Sequence, residues 1–248
     1  MPKYLLLSDS PFLATGFRNQ ALLLAEHLVN EGNEVFWLAP NYCGMPIKNA
    51  VLPDGRQLNF TVLPGGAHAH AMDVLQQRIM EVKPDIFFCL LDTFMLFPHI
   101  VNMALPIPTT QWWPFKSSMW YPSDGGFFPN QCEMVLKKFD YPVAMSKWGR
   151  DQAKAQFGLH VDYIPHGIRL QDFYSFSTEK KQAVRMQFSN KIGKDLRNHF
   201  IVGMVGRNQP RKFMDRALKA FSLFAQGKED VSLELPTDPH DPNTPNTP

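Results

Sequence analysis

The residues best placed to do chemistry are the cations of Gly206-Arg-Asn-Gln-Pro-Arg-Lys212. An apolar run, Phe200 to Val205, precedes them and reads as a buried strand. A helical pattern follows the turn at once. A strand that ends in a glycine turn, with Arg207, Arg211 and Lys212 where a helix begins, is a place to hold phosphate. Backbone N–H groups and the helix dipole favour an anion there. Each charge-assisted hydrogen bond to phosphate contributes about 1.5–3 kcal/mol. Charge alone leaves a second reading open, a solvated basic turn.

A second candidate is Ala14-Thr15-Gly16-Phe17. A glycine after the first strand, at a helix start, lets a ligand approach the backbone closely. Asp9 and Ser10 precede it. One glycine is not the G-x-G-x-x-G of nicotinamide or flavin dinucleotide sites, so an ordinary helix-entry turn stays open. Asp92 follows an apolar run and is either a helix cap or a site residue. Trp112, Trp113, Phe115, Trp120, Tyr121, Phe127 and Phe128 crowd one stretch with Asp124, Gly125 and Gly126. Aromatic faces beside polar groups suit a sugar or another amphipathic ligand, or a plain packing interface. His166 sits in an apparent hinge and is either a ligand contact in a cleft or structural. His68 and His70 have no third metal ligand nearby in sequence, so no metal site is expected.

These residues need a frame, and the hydrophobic pattern supplies one. Tyr4 to Ser8, Val35 to Ala39, Leu58 to Leu63, Ile86 to Leu91, Pro108 to Trp112, Tyr141 to Met145 and Val161 to Ile164 read as strands. Helical spacing joins Phe17, Ala21, Leu24, Ala25 and Leu28 before Gly32, and Met72, Leu75, Ile79 and Val82 before Pro84. Ser146 is a cap for a helix that runs to Phe157 and stops at Gly158. Strands alternating with helices at this pitch predict a parallel α/β sheet. Such sheets bind ligands beyond the carboxyl ends of their strands. That points to Asp9–Gly16, Asp92–Phe97 and Trp112–Phe128.

Pro165-His166-Gly167 interrupts the pattern. The expected organisation is a Rossmann-like domain over 1–165, a crossover over 166–199 and the start of a second Rossmann-like domain over 200–235. A tail over 236–248, with proline at every third position, is expected to be disordered. One βαβ unit is not stable alone. The second part is therefore expected to pack on the first, to pair with another chain, or to be partly disordered. The simplest account is a fragment of a longer two-domain protein, and pairing with another chain would be self-association through the incomplete sheet.

Bulk properties exclude some partners. A net charge of +2 argues against nucleic acid or an anionic membrane as partner. No apolar window reaches the roughly 18 residues of a membrane span. The start, Met-Pro-Lys-Tyr-Leu-Leu-Leu-Ser-Asp, lacks an apolar stretch of signal-peptide length and reads as the first strand of the fold. Three cysteines without a C-x-x-C spacing suit a reducing compartment. The expected location is cytoplasmic.

Three segments together resemble a known family. Ser146-Lys-Trp-Gly-Arg150, followed by Ile164-Pro-His-Gly-Ile168 and Phe173, is similar to the crossover region of retaining GT-B glycosyltransferases of family 4. Val205 to Lys212 resembles the first loop of that family's C-terminal domain, and Ala14 to Phe17 its N-terminal glycine loop. The resemblance implies a GT-B fold and transfer of a sugar from a nucleotide-diphosphate sugar to a glycan or small-molecule acceptor, with retention. By resemblance, Arg207 and Lys212 are catalytic and grip the donor diphosphate with Arg211 and Gly16. Asp92, Trp113, Asp124 and His166 are acceptor or cleft candidates. No metal and no cofactor is implied. The family's E-x7-E pair has no counterpart after Lys212, because Glu229 and Glu234 lack that spacing. Weak turnover is therefore expected. A non-catalytic glycan- or protein-binding module of the same fold is the alternative. A sugar-nucleotide epimerase is a further one.

Overall fold

The computed structural model describes residues 1–40, 42–52, 55–66, 69–71, 73–101, 114–123, 125–126, 128–206 and 208–237, with 69 and 99–101 described by backbone only. The expected strand Pro108 to Trp112, together with Trp113, Asp124, Phe127, Arg207, His68 and Met72, lies outside the described residues, as does the tail from 238. The chain divides into two compact units, Met1–Asp172 and Phe173–Pro248.

The first unit is built on a parallel sheet. In chain order it holds β1 (Lys3–Leu7), α1 (Gly16–Asn30), β2 (Glu34–Ala39), β3 (Ile47–Lys48), β4 (Thr61–Pro64), α2 (Leu75–Val82), β5 (Ile86–Cys89) and α3 (Thr93–Val101). Then come β6 (Lys116–Tyr121), α4 (Asn130–Leu136), β7 (Tyr141–Ala144), α5 (Lys147–Phe157) and β8 (Asp162–Tyr163). The spatial order is β3-β4-β2-β1-β5-β6-β7-β8, and only β3 runs antiparallel. The chain steps outward from β1 to β2 and β4, then returns to lay β5 on the other side of β1. The carboxyl ends of β1 and β5 are therefore the topological switch point, where open α/β sheets bind ligands.

The uninterrupted leucines of β1 explain its central place. Leu5 and Leu7 enter one core with α2, α3 and α4, while Leu6 enters the other with Ala21, Leu22 and Ala25 of α1. All three leucines are buried. Burial of each leucine side chain contributes about 1.5–3 kcal/mol. α1 begins where Thr15 Oγ1 accepts the Arg18 N–H at 3.1 Å. α5 begins where Ser146 Oγ accepts the Gly149 N–H at 2.9 Å, and it ends at left-handed Gly158. Both ends of α5 match the sequence expectation.

Several expectations need correction. The stretch Trp112–Phe128 is not a loop throughout, because β6 crosses it. Two serines, Ser117 and Ser118, hide this strand from a hydrophobic reading. Ser117 is fully buried, and its hydroxyl and N–H both donate to Asp140 Oδ2, at 2.9 and 2.8 Å. Asp92 to Phe97 is likewise no loop, since α3 starts at Thr93. The expected strand from Leu58 begins only at Thr61; Leu58 N–H instead bonds the Ala50 carbonyl at 2.7 Å.

The second unit holds α6 (Thr178–Ile192), β9 (Phe200–Gly203), α7 (Met214–Phe224) and β10 (Val231–Glu234). β9 and β10 pair in parallel, Phe200 against Val231. Ser177 caps α6 by accepting the Lys180 N–H at 3.2 Å. Arg185 on α6 donates to the carbonyls of Leu196, Arg197 and His199, which fixes the approach to β9. β9 ends three residues before Gly206, two short of the expected Val205.

Candidate functional site

At the switch point the first unit is held by a side-chain bolt. The buried Ser8 hydroxyl donates to the Leu90 carbonyl at 3.0 Å, joining the segments that extend β1 and β5. The chain from β1 runs through Asp9 and buried Ser10 to Gly16, the first residue of α1. A side chain at Gly16 would meet nothing within 4 Å. Gly16 is therefore not required by crowding. What it offers is an open backbone at a helix N-terminus.

Beyond β5, Asp92 directly precedes α3, and its carbonyl accepts the Met95 N–H at 3.1 Å. Asp92 also lines a cavity of about 160 Å³. Asp92 thus stands both at the entry to α3 and on a cavity wall. Thr93, Ser123, Gln131 and Cys132 bring the other polar groups to this cavity, and Tyr121 and Phe128 bring the aromatic walls. Thr93 Oγ1 and Cys132 Sγ lie 2.9 Å apart. Burial pushes the Cys132 thiol up, and the Asp92 charge adds to it. Burial also pushes the Tyr121 phenol well up. Both groups are uncharged near neutral pH, so Asp92 is the anionic group of the cavity wall.

The aromatic cluster divides. Phe115 stands edge-on to Phe87 at 6.0 Å, and the Trp120 indole donates to the Ile164 carbonyl at 2.8 Å. Phe128 sits among Tyr121, Trp148 and Phe157, with centroids 6.4, 5.8 and 6.0 Å away. These aromatics are packing residues first. Phe128 and Tyr121 reach the cavity only as walls. Trp113 and Asp124, two of the acceptor candidates, lie outside the described residues.

Gly149 explains one motif residue physically. A Cβ there would overlap Ser123 Oγ, and its carbonyl accepts from Tyr121 Oη at 3.4 Å. Ser123 Oγ in turn lies 3.3 Å from Ser146 Oγ. The first turn of α5 is thus pressed against the cavity wall. His166 packs edge-on to Trp120 at 5.5 Å, with Nε2 2.7 Å from Met145 Sδ. Loss of solvent there lowers its pKa below the usual histidine value.

In the second unit, Arg211 and Lys212 stand side by side on a 3₁₀ turn, Pro210–Lys212. Both are exposed, and neither forms an ion pair among the described residues. The turn is closed by Lys212 N–H to the Gln209 carbonyl at 2.8 Å. Phe213 then takes a left-handed conformation (φ 51°), and the Arg216 guanidinium lies over its ring at 4.3 Å. The helix therefore does not follow the turn at once, because α7 begins only at Met214. Its buried Met214 meets the Gly206 side of the turn, since a Cβ on Gly206 would lie 3.4 Å from Met214 Cε. Arg207, the first cation of the expected clamp, lies outside the described residues.

Sequence reasoning did not single out Thr93, Ser123, Gln131 or Cys132 as residues that line a cavity. Ser123 lies just past the end of β6, the strand that Ser117 and Ser118 keep out of an apolar reading. No group of three or more His, Cys, Asp or Glu among the described residues is arranged to hold a metal ion. No helix among them is long and apolar enough to cross a membrane.

No protein-family model matches the sequence, and no curated protein matches it. Solved structures do match. The catalytic domain of starch synthase IV from Arabidopsis thaliana, bound to ADP and acarbose, aligns with a TM-score of 0.61 at 12% identity, over 95% of this chain and 74% of that one. The fold is α/β of GT-B type. An α-glucosyltransferase in complex with UDP and a mismatched DNA aligns with a TM-score of 0.53 at 11% identity, over 98% of this chain and 58% of its own. The S. aureus MnaA–UDP structure aligns with a TM-score of 0.58 at 12% identity, over 98% and 64%. A UDP-N-acetylglucosamine 2-epimerase-like protein from Listeria monocytogenes aligns at 0.55, also at 12% identity and over 98% and 64%. The chain thus spans less than two thirds of three of these four structures.

Proposed function

We propose that this chain binds a nucleotide-diphosphate sugar and belongs to a glycosyltransferase of the retaining, family 4 kind. One observation carries the reading. The likeness to nucleotide-bound GT-B structures runs over 95–98% of the chain, so it extends into the second unit, the part of the chain that carries the basic turn. In this reading Arg207, Arg211 and Lys212 hold the diphosphate and neutralise charge as it leaves, which is electrostatic stabilisation of the transition state. Gly16, at the open N-terminus of α1, offers backbone N–H groups to an anionic group. The cavity of Asp92, Thr93, Ser123, Gln131 and Cys132 receives hydroxyls of a glycan or small-molecule acceptor, with Asp92 as hydrogen-bond acceptor. The two-stranded sheet of β9 and β10 is the surface through which self-association would start.

The reaction needs no group beyond donor and acceptor. The bond from the anomeric carbon to the diphosphate oxygen breaks, and the diphosphate leaves with that electron pair. An acceptor hydroxyl oxygen bonds the same carbon and passes its proton to the departing diphosphate oxygen. After Lys212 no glutamate pair has the E-x7-E spacing, because Glu229 and Glu234 are five apart, so turnover by this chain alone is expected to be weak. Robust transfer by the purified chain contradicts that part of the account.

The likeness to MnaA and to the Listeria protein favours a second reading, epimerisation of the sugar nucleotide. Incubation with UDP- and ADP-sugars, with and without glycan acceptors and read by proton NMR of the anomeric signals, separates the two. Slow acceptor-dependent product of unchanged anomeric configuration supports transfer. A changed sugar nucleotide without acceptor supports epimerisation. Inverted product removes the family 4 assignment.

A further inference from the structure

The segment that leads out of the first unit is fastened to α1. The Gln20 side chain and the Gly167 backbone exchange two hydrogen bonds: Gly167 N–H donates to Gln20 Oε1, and Gln20 Nε2 donates to the Gly167 carbonyl, each at 2.9 Å. The side-chain amide thus stands where the backbone of a neighbouring strand would. Farther along α1, Arg169 donates to Glu26 Oε2, and Arg56 lies 3.7 Å from Glu26 Oε1. Upstream, the Trp120 indole holds the Ile164 carbonyl at 2.8 Å. Between these ties Gly167 lies beside Leu23, where a Cβ would sit in ordinary contact, 3.7 Å from Leu23 Cδ1.

The fastening stops abruptly. Among the described residues, the side chains of Leu170, Gln171, Asp172 and Phe173 make no hydrogen bond. Leu170 is 74% and Phe173 65% exposed. The compact first unit ends at Asp172.

By composition the turning point belongs at Pro165-His166-Gly167, because glycine is the residue with the widest backbone freedom. We infer that the Gln20–Gly167 clamp, backed by Glu26–Arg169, makes Ile164 to Arg169 part of the first unit and moves the turning point to Leu170–Phe173. Gln20 and Glu26 are positioning residues for the connection. The reciprocal geometry matters, because one side chain fixes both the N–H and the carbonyl of the only glycine in the segment. α1, which begins at Gly16, therefore carries both the open helix N-terminus and the anchor of the connection.

Native-state amide exchange on the full chain, resolved by NMR, reads this directly. The Gly167 amide exchanges at least tenfold more slowly than the Gln171 and Phe173 amides in the unaltered protein. Gln20→Ala raises Gly167 exchange to the Gln171 rate, while Leu22 and Ala25 in the core of α1 keep theirs. Gln20→Glu retains the acceptor for the Gly167 N–H, so most of the protection stays. Equal rates at Gly167 and Gln171 in the unaltered protein overturn the inference. Protection that survives Gln20→Ala, or that Gln20→Glu removes as completely as Gln20→Ala, overturns it as well.

Discussion

Thr93 Oγ1 and Cys132 Sγ meet at 2.9 Å, which ties the first turn of α3 to the first turn of α4 beside Asp92. The contact closes one wall of the cavity beyond the ends of β5 and β6. It also makes a thiol report on the carboxylate next to it. Burial raises the Cys132 pKa, Thr93 offsets part of this, and Asp92 adds to it. Only the thiolate is alkylated. Iodoacetamide labelling of Cys132, followed by mass spectrometry, should therefore rise with pH through a midpoint above the usual thiol range of about 8.5. Asp92→Asn removes the neighbouring anion, so it should move the midpoint down and speed labelling at pH 8. A midpoint unchanged by Asp92→Asn places the carboxylate elsewhere.

Gly149→Ala tests two opposed effects at one site. Alanine in a helix is favoured over glycine by about 1 kcal/mol. The added Cβ, however, overlaps Ser123 Oγ, and overpacking of this kind costs about 1–3 kcal/mol. The net expectation is destabilisation, measured by chemical denaturation. In a Ser123→Ala background the obstacle is gone, and Gly149→Ala should become neutral or stabilising. A stabilising effect in the unaltered background means that α5 does not press on the cavity wall.

The Ser117–Asp140 pair holds β6 against the residue before β7. Asp140 accepts from both the N–H and the hydroxyl of Ser117, and its own N–H donates to Ser117 Oγ at 3.0 Å. Asp140→Ala leaves buried donors on Ser117 without a partner, at about 1–3 kcal/mol each. The melting temperature should fall by roughly 2–4 °C for each kcal/mol lost. Asp140→Asn keeps an acceptor and should recover much of that loss. Equal melting temperatures for the alanine variant and the unaltered protein refute the pairing.

The frame was legible where side chains follow a period. β1, α1, β2, β7 and α5 come directly from apolar spacing and, for α5, from the caps Ser146 and Gly158. The middle of the sheet was less legible for a physical reason. β6 spends two positions on serines, and Ser117 is buried because Asp140, 23 residues away, satisfies it. A hydrophobic pattern carries no trace of such a partner. Helix α4 starts at Asn130 after a proline without a side-chain cap, so no start signal marked it. Asp92 was legible as a candidate because a carboxylate after an apolar run is costly without a role. Thr93, Ser123 and Gln131 were not, since uncharged polar residues after strands occur in every loop. The basic turn was legible as charge, but the left-handed Phe213 that delays α7 was not.

The account rests on the basic turn of the second unit gripping a diphosphate, and calorimetric titration of the purified chain with UDP and ADP tests it most directly. The expectation is binding of at least one nucleotide diphosphate, weakened about 10- to 150-fold by Lys212→Ala and similarly by Arg207→Ala. Those factors are what losing one charge-assisted bond of about 1.5–3 kcal/mol gives. Nucleotide affinity that is absent in the unaltered chain, or that neither substitution changes, contradicts the account.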